Sequence, residues 1–413
     1  MRNPFPRPAP RVPRGRLSLV AVTIAAPLMT ILSVVFNTVV RHRHRHRLQV
    51  QADDESRARA SAVATTVDTG GRTARTARFT HWLRRRLGRA VALSYLAALV
   101  LPGPGLWLRQ PHTLPLGHER ELPLHTTSLL LSLVLFSAGL QVPAQALGRL
   151  LRRPRALLAG VALRFAAPLL IIPPVVFLLR RSPDTDGGSG LVTAMILIVA
   201  MPVAAGATVW TGKGRGDQPT MVGLVLASSL VSPVTIPVTV GALAPLLGGG
   251  HTATLASAGH GLDGWFALTT VVLPCAAGVL SRLVLSGPWP DRVSTAVGPA
   301  ALVGSLLLTY VNASGALGSF LARPRPLLLA AAVAVAALVC ALSFALGRVT
   351  ARVLRLDAPA ASSLTLACGM NNSSASAVLL TTALPDKPYL LLPVLAYGLL
   401  QKAAANRVVR APT

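Results

Sequence analysis

Leu364-Thr-Leu-Ala-Cys-Gly-Met-Asn-Asn-Ser-Ser-Ala-Ser-Ala-Val-Leu-Leu380 is apolar at both ends and polar in the middle. A helix that crosses a bilayer needs about 20 predominantly apolar residues, yet Asn371, Asn372, Ser373, Ser374 and Ser376 fall at the centre of this one. In hydrocarbon such groups are costly unless they face other protein, water or a ligand. With Gly369 beside them, the stretch reads as a membrane helix interrupted at mid-depth, with a binding site at the interruption.

The rest of the 413-residue chain agrees. It is 52% hydrophobic with a mean hydropathy of +0.57, values of a polytopic membrane protein. Its 34 Gly and 33 Pro suit helices that pack closely and break in places, because neighbouring helices satisfy the freed backbone groups. A formal charge of +27 would suit nucleic acid. The arginines, however, lie in tails and connections between apolar runs. No nucleic-acid partner is expected; basic loops there set topology and meet anionic lipid headgroups. Cys275, Cys340 and Cys368 sit inside apolar segments without zinc spacing and read as packing residues, so no metal centre is expected.

Residues 1–89 form a basic accessory region. An apolar segment at 17–40 offers one extra N-terminal helix, and Arg-His-Arg-His-Arg-His-Arg (41–47) and a polar linker follow. The transporter-like core occupies 90–405, with 406–413 as a cytoplasmic tail. Ten spans are expected, at about 90–107, 126–146, 156–179, 190–211, 219–246, 264–285, 296–315, 327–347, 361–384 and 388–404. Lys and Arg crowd the connections on one side, whereas the other side holds only Arg109, Arg120, Arg180, Arg181, Arg323, Arg325 and Lys387. That bias puts both ends of the core in the cytoplasm of a cell-membrane protein. The fourth span carries Pro202 and Gly206 where the ninth carries Gly369 and the Asn pair. Ten spans divide into repeats of five, about 90–246 and 264–404, and an odd number inverts the second against the first. Broken helices at matching positions of inverted repeats point to a carrier's midplane site. The expected fold class is an all-α membrane protein of two inverted five-helix repeats with two discontinuous crossing helices.

Several motifs resemble the bile acid:sodium symporter family. They are Leu135-Phe-Ser-Ala-Gly-Leu140, Arg153-Pro-Arg with Gly160-Val-Ala-Leu-Arg-Phe-Ala-Ala-Pro168, Met201-Pro202, Ser232-Pro233 with Pro237, and Gly369-Met370-Asn371-Asn372-Ser373. The resemblance spans roughly residues 90–405. It implies a panel domain and a core domain, crossing fourth and ninth helices, and alternating-access movement of solutes, often organic anions. It also implies sodium sites, and here the chain departs from the family. Ala207-Thr208 stands where sodium-using members have Ser-Asn, and Met221 and Val225 replace hydroxyl residues. Ala367 replaces a glutamate, Arg164 a glutamine, and Asn371 the family's Gln. Sodium is therefore a doubtful partner. If an ion binds at all, the implied positions are Ala367, Cys368, Met370 and Asn371.

Charge placement leads the same way without the family. All 13 acidic residues and all 9 histidines fall in tails or connections. One cation, Arg164, lies about eight residues into the third span, roughly 12 Å deep and near the middle of an ~30 Å core. Its partners are expected to be carbonyls of a broken helix, water or an anionic ligand. The hypothesis is that it takes the place of a sodium ion, steadying carbonyls around Cys368 and Met370 or binding a substrate carboxylate. Candidate substrate-binding residues are Arg164, Thr208, Asn371, Asn372 and Ser373. No Ser/His or paired-Asp constellation and no cofactor fingerprint occurs, so an enzyme is not expected.

These observations favour a secondary transporter of a small organic, anionic solute; a uniporter or an anion exchanger using Arg164 is a second transporter reading. The alternatives are a membrane ligand sensor derived from that fold and a sodium-coupled organic anion symporter with an atypical site.

Overall fold

Apolar runs bounded by Pro, Gly or charge become helices. The computed structural model describes residues 78–83, 86–110, 112–115, 121–141, 154–179, 189–214, 216–246, 267–284, 289–322, 324–384 and 387–410. All of these lie in the unit Thr66–Thr413. The expectations for residues 1–77, including the apolar segment 17–40, fall outside the described residues.

In chain order the helices are α1 (Leu87–Val100), α2 (Pro102–Arg109), α3 (Thr126–Leu140), α4 (Pro154–Leu179), α5 (Ser189–Ala200) and α6 (Ala207–Lys213). There follow α7 (Gln218–Leu243), α8 (Leu273–Val284, led in by a π-turn at Ala267–Val272), α9 (Trp289–Ala322) and α10 (Pro326–Val353). The last three are α11 (Ala358–Gly369), α12 (Ser373–Ala383) and α13 (Leu391–Arg410). Proline opens the first turn of α2, α7, α10 and α11, where its missing N–H deprives no intrahelical bond. Pro233 sits inside α7 without ending it. The Ser229 carbonyl that Pro233 leaves free accepts a bond from the Ser232 hydroxyl, at 2.6 Å.

Five helices are long and apolar enough to cross a bilayer, namely Arg155–Leu179, Gln218–Leu246, Ala267–Val284, Val293–Gly318 and Pro326–Val353. The bent α1–α2 pair makes a sixth. The chain is an integral, multi-pass membrane protein.

Four expectations need amendment. The first span is not straight: α1 and α2 meet at 94°, because the run Pro102-Gly-Pro-Gly105 follows Leu101 and a residue before proline avoids the helical region. The fold is not wholly α, since β1 (His112–Pro115) pairs antiparallel with β2 (Glu121–Leu124) between α2 and α3. The seventh span, expected at 296–315, extends to 289–322. Finally, residues 406–410 continue α13 rather than forming a tail. Val408 and Val409 pack on the core, and Arg407 and Arg410 complement the negative end of the helix.

The helices form two groups. One contains α1, α2, α3, α8 and α9; the other contains α4–α7 and α10–α13, which hold most of the buried apolar cluster. Within the first group α3 and α8 approach backbone to backbone. A Cβ on Gly139 would overlap the Cys275 carbonyl, and one on Gly278 the Phe136 carbonyl. Only glycine permits that contact.

Candidate functional site

Two helices of the second group are interrupted. The first break, Met201–Gly206, separates α5 from α6, and the second, Met370–Asn372, separates α11 from α12. The breaks meet. Val203 and Asn371 form an antiparallel bridge: the Ala204 amide donates to the Met370 carbonyl at 2.8 Å, and the Asn372 amide to the Pro202 carbonyl at 3.0 Å. Each break thus satisfies backbone groups that the other's helices abandoned. A third donor, the Val203 amide, is met by the Ser228 hydroxyl of α7 at 3.0 Å, and Ser228 itself donates to Val225 O.

Arg164 of α4 fastens the bridge from one side. Its Nη1 donates to Met201 O at 2.9 Å and to Asn371 Oδ1 at 2.7 Å, one acceptor from each break. The side chain is 4% exposed. The Cys368 thiol lies against the guanidinium, and Nη2 has no hydrogen-bond partner among the described residues. The chain of bonds continues: Asn371 Nδ2 donates to Tyr397 Oη at 2.9 Å, and that hydroxyl donates to Gly369 O at 3.0 Å. Every polar atom of the Asn371 side chain is consumed, and the residue is fully buried.

A cavity of about 1150 Å³ borders the breaks. Ala204–Gly206, Thr208 and Met370–Ser374 line it at the breaks; α1, α3, α6, α7, α8, α9 and α13 supply the remaining walls. Its polar lining includes Gln141, Gln218, Ser305, Thr309, Gln401 and Asn406, and two cations, Lys213 and Lys402. Lys213 stands 4.8 Å over the Trp210 ring, a contact that leaves its ammonium free to meet an anion. No carboxylate is among the described lining residues.

The residues singled out from the sequence therefore separate. Asn371, Asn372, Ser373 and Thr208 reach the cavity, whereas Arg164 is absent from its lining and faces carbonyls instead. Of the carbonyls expected near Arg164, the one it bonds belongs to Met201, on the first break. The Met370 carbonyl is taken by Ala204. Asn372 caps α12, its Oδ1 accepting from the Ala375 amide at 3.1 Å. Thr208 donates back to Ala205 O. Ala367 and Cys368 are buried in the last turn of α11, and Ala367 brings no oxygen beyond its backbone.

Sequence reasoning missed Tyr397 and Gln401. They stand one helical turn apart on the buried face of α13. Gln401 Nε2 donates to Ser373 Oγ at 3.3 Å, while Gln401 Oε1 is buried with no hydrogen-bond partner among the described residues. A tyrosine and a glutamine at i and i+4 inside an otherwise apolar run were the available signal. Ser228 left none, being one small residue among several in α7.

A polytopic helical protein whose two interrupted helices meet break to break beside a polar cavity belongs, as a class, with membrane carriers. Residues 128–323, a little under half of the chain, match the Sodium Bile acid symporter family. The match runs from α3 to the end of α9 and includes Arg164 and the first break; the second break lies beyond it. No curated protein matches the chain. A match to that family implies a membrane transporter of the bile acid symporter type.

Proposed function

We propose that the protein moves a small organic anion across the cell membrane by alternating access, with the cavity beside the two breaks as its binding site. The observation that carries this reading is the cavity's charge: Lys213 and Lys402 line it and no described carboxylate does. Two ammonium groups at its wall favour an anion over a cation. Asn372, Ser373, Thr208 and Gln401 surround the remainder of the solute.

The transporting unit in this reading is ten spans in two inverted repeats, about 90–246 and 264–404. The antiparallel pairing of the breaks supports it, because a twofold axis between two equivalent segments leaves that pattern. The cavity is walled by the ends of α6, α7 and α13 that adjoin the Lys/Arg-rich connections. With those connections cytoplasmic, the described conformation faces inward and both ends of the core are cytoplasmic. Basic loops there contact anionic lipid headgroups. No enzymatic step is part of the reading.

Reconstituted vesicles test it. Uptake of small carboxylates and sulfonates is expected, with neutral isosteres excluded, and Lys402→Gln lowers apparent affinity roughly tenfold. Equal uptake of neutral and anionic isosteres, or full affinity in Lys402→Gln, would falsify the anion site.

A further inference from the structure

The half-helices α5 and α11 end side by side at the breaks, and the carbonyl end of a helix carries partial negative charge. Met201 O leaves the end of α5, Gly369 O the end of α11, and Asn371 Oδ1 stands between them. Unwound carbonyls and helix C-termini at broken spans are where carriers hold a monovalent coupling cation. Here each of those oxygens already has a donor. Arg164 Nη1 serves Met201 and Asn371, Tyr397 Oη serves Gly369, and the Ala204 amide serves Met370. Ala207 and Ala367 add no side-chain oxygen, and the side chains of Met221 and Val225 are apolar and almost wholly buried. This donor set does not fit a sodium ion.

We infer that the Arg164 guanidinium is a resident cation that stands in for the coupling ion and holds the two breaks together in every transport cycle. A guanidinium stays protonated under all ordinary conditions and offers several donors in a fixed plane. Covalent attachment to α4 means that it never dissociates. Coupling to an ion gradient requires an ion that binds on one side and leaves on the other, because only differential binding shifts the conformational equilibrium. A cation that cannot leave keeps the anion site assembled and uncouples it from sodium. The structural part of this inference stands alone; its consequence for flux rests on the transport reading above.

The experiment compares thermal unfolding of the purified full-length protein in sodium, potassium and choline chloride at equal ionic strength, for wild type and Arg164→Gln. Wild type is expected to unfold at the same temperature in all three. Arg164→Gln withdraws the charge and frees Met201 O and Asn371 Oδ1. Its midpoint falls in choline and recovers by about 3 °C or more in one of the alkali cations. A sodium-dependent midpoint in wild type overturns the inference, and so does an Arg164→Gln protein that no alkali cation stabilises. If Arg164→Gln does not fold, Arg164→Lys replaces it: the tethered ammonium is expected to keep the midpoint independent of sodium, and dependence on sodium is the contrary result. Vesicle uptake at equal rates in sodium and choline is the flux arm. Failure to move any organic anion counts against the transport reading alone, since the thermal arm needs no substrate.

Discussion

The two helix breaks do the same job with different means. The second, Met370–Asn372, carries its own polar side chains. Asn371 ties Arg164 to Tyr397, and Asn372 caps the helix that follows. The first, Met201–Gly206, has no polar side chain at all. Its carbonyl and amide groups are satisfied from outside, by Arg164 of α4, Ser228 of α7 and the backbone of the second break. A break can therefore be self-sufficient or dependent, and the dependent kind distributes its cost over helices far along the chain.

That contrast orders the effects of substitution. Asn371→Ala removes one of the two acceptors of a buried guanidinium and the donor to Tyr397 Oη, so it should cost the most, about 3–5 kcal/mol, read as the largest fall in unfolding midpoint. Tyr397→Phe leaves Asn371 Nδ2 and Gly369 O without partners but keeps Arg164 bonded; roughly 2–3 kcal/mol is expected, from the same unfolding measurement. Ser228→Ala probes the dependent break alone, exposing the Val203 amide for about 1–2 kcal/mol. It should spare ligand affinity, since Ser228 is not in the cavity lining. Asn372→Ala should be mildest in stability, ~1 kcal/mol for one lost cap, yet it borders the cavity and should weaken anion binding in a titration. Should Asn372→Ala destabilise more than Asn371→Ala, the assignment of the clamp to Asn371 is wrong.

The same contrast explains what could be read beforehand. The second break was legible because two asparagines in an apolar run have no ordinary explanation. The depth of Arg164 within its helix followed from counting residues into the span, and the structure buries the side chain. Its partner on the first break did not, because a carbonyl leaves no mark in sequence; Met201 looks like any apolar residue. Tyr397 and Ser228 were hidden for a related reason, each being a residue type common in membrane helices whose role depends on what stands opposite. The bend at Leu101 was visible in Pro102-Gly-Pro-Gly105, but periodicity and hydropathy outweighed it. The persistence of helix to Arg410 depended on Val408 and Val409 finding a surface, which only packing decides.

The bridge between Val203 and Asn371 has a consequence for biogenesis. Its two strands are made far apart in time: at about 5–20 residues per second, the ribosome supplies Asn371 roughly 8–35 s after Val203. Throughout that interval the first break, having no polar side chain of its own, waits in the membrane with Ala204 N–H and Pro202 C=O unpaired. The N-terminal half is thus made before it can be completed, and the backbone groups of its break find their partners only when the second break arrives.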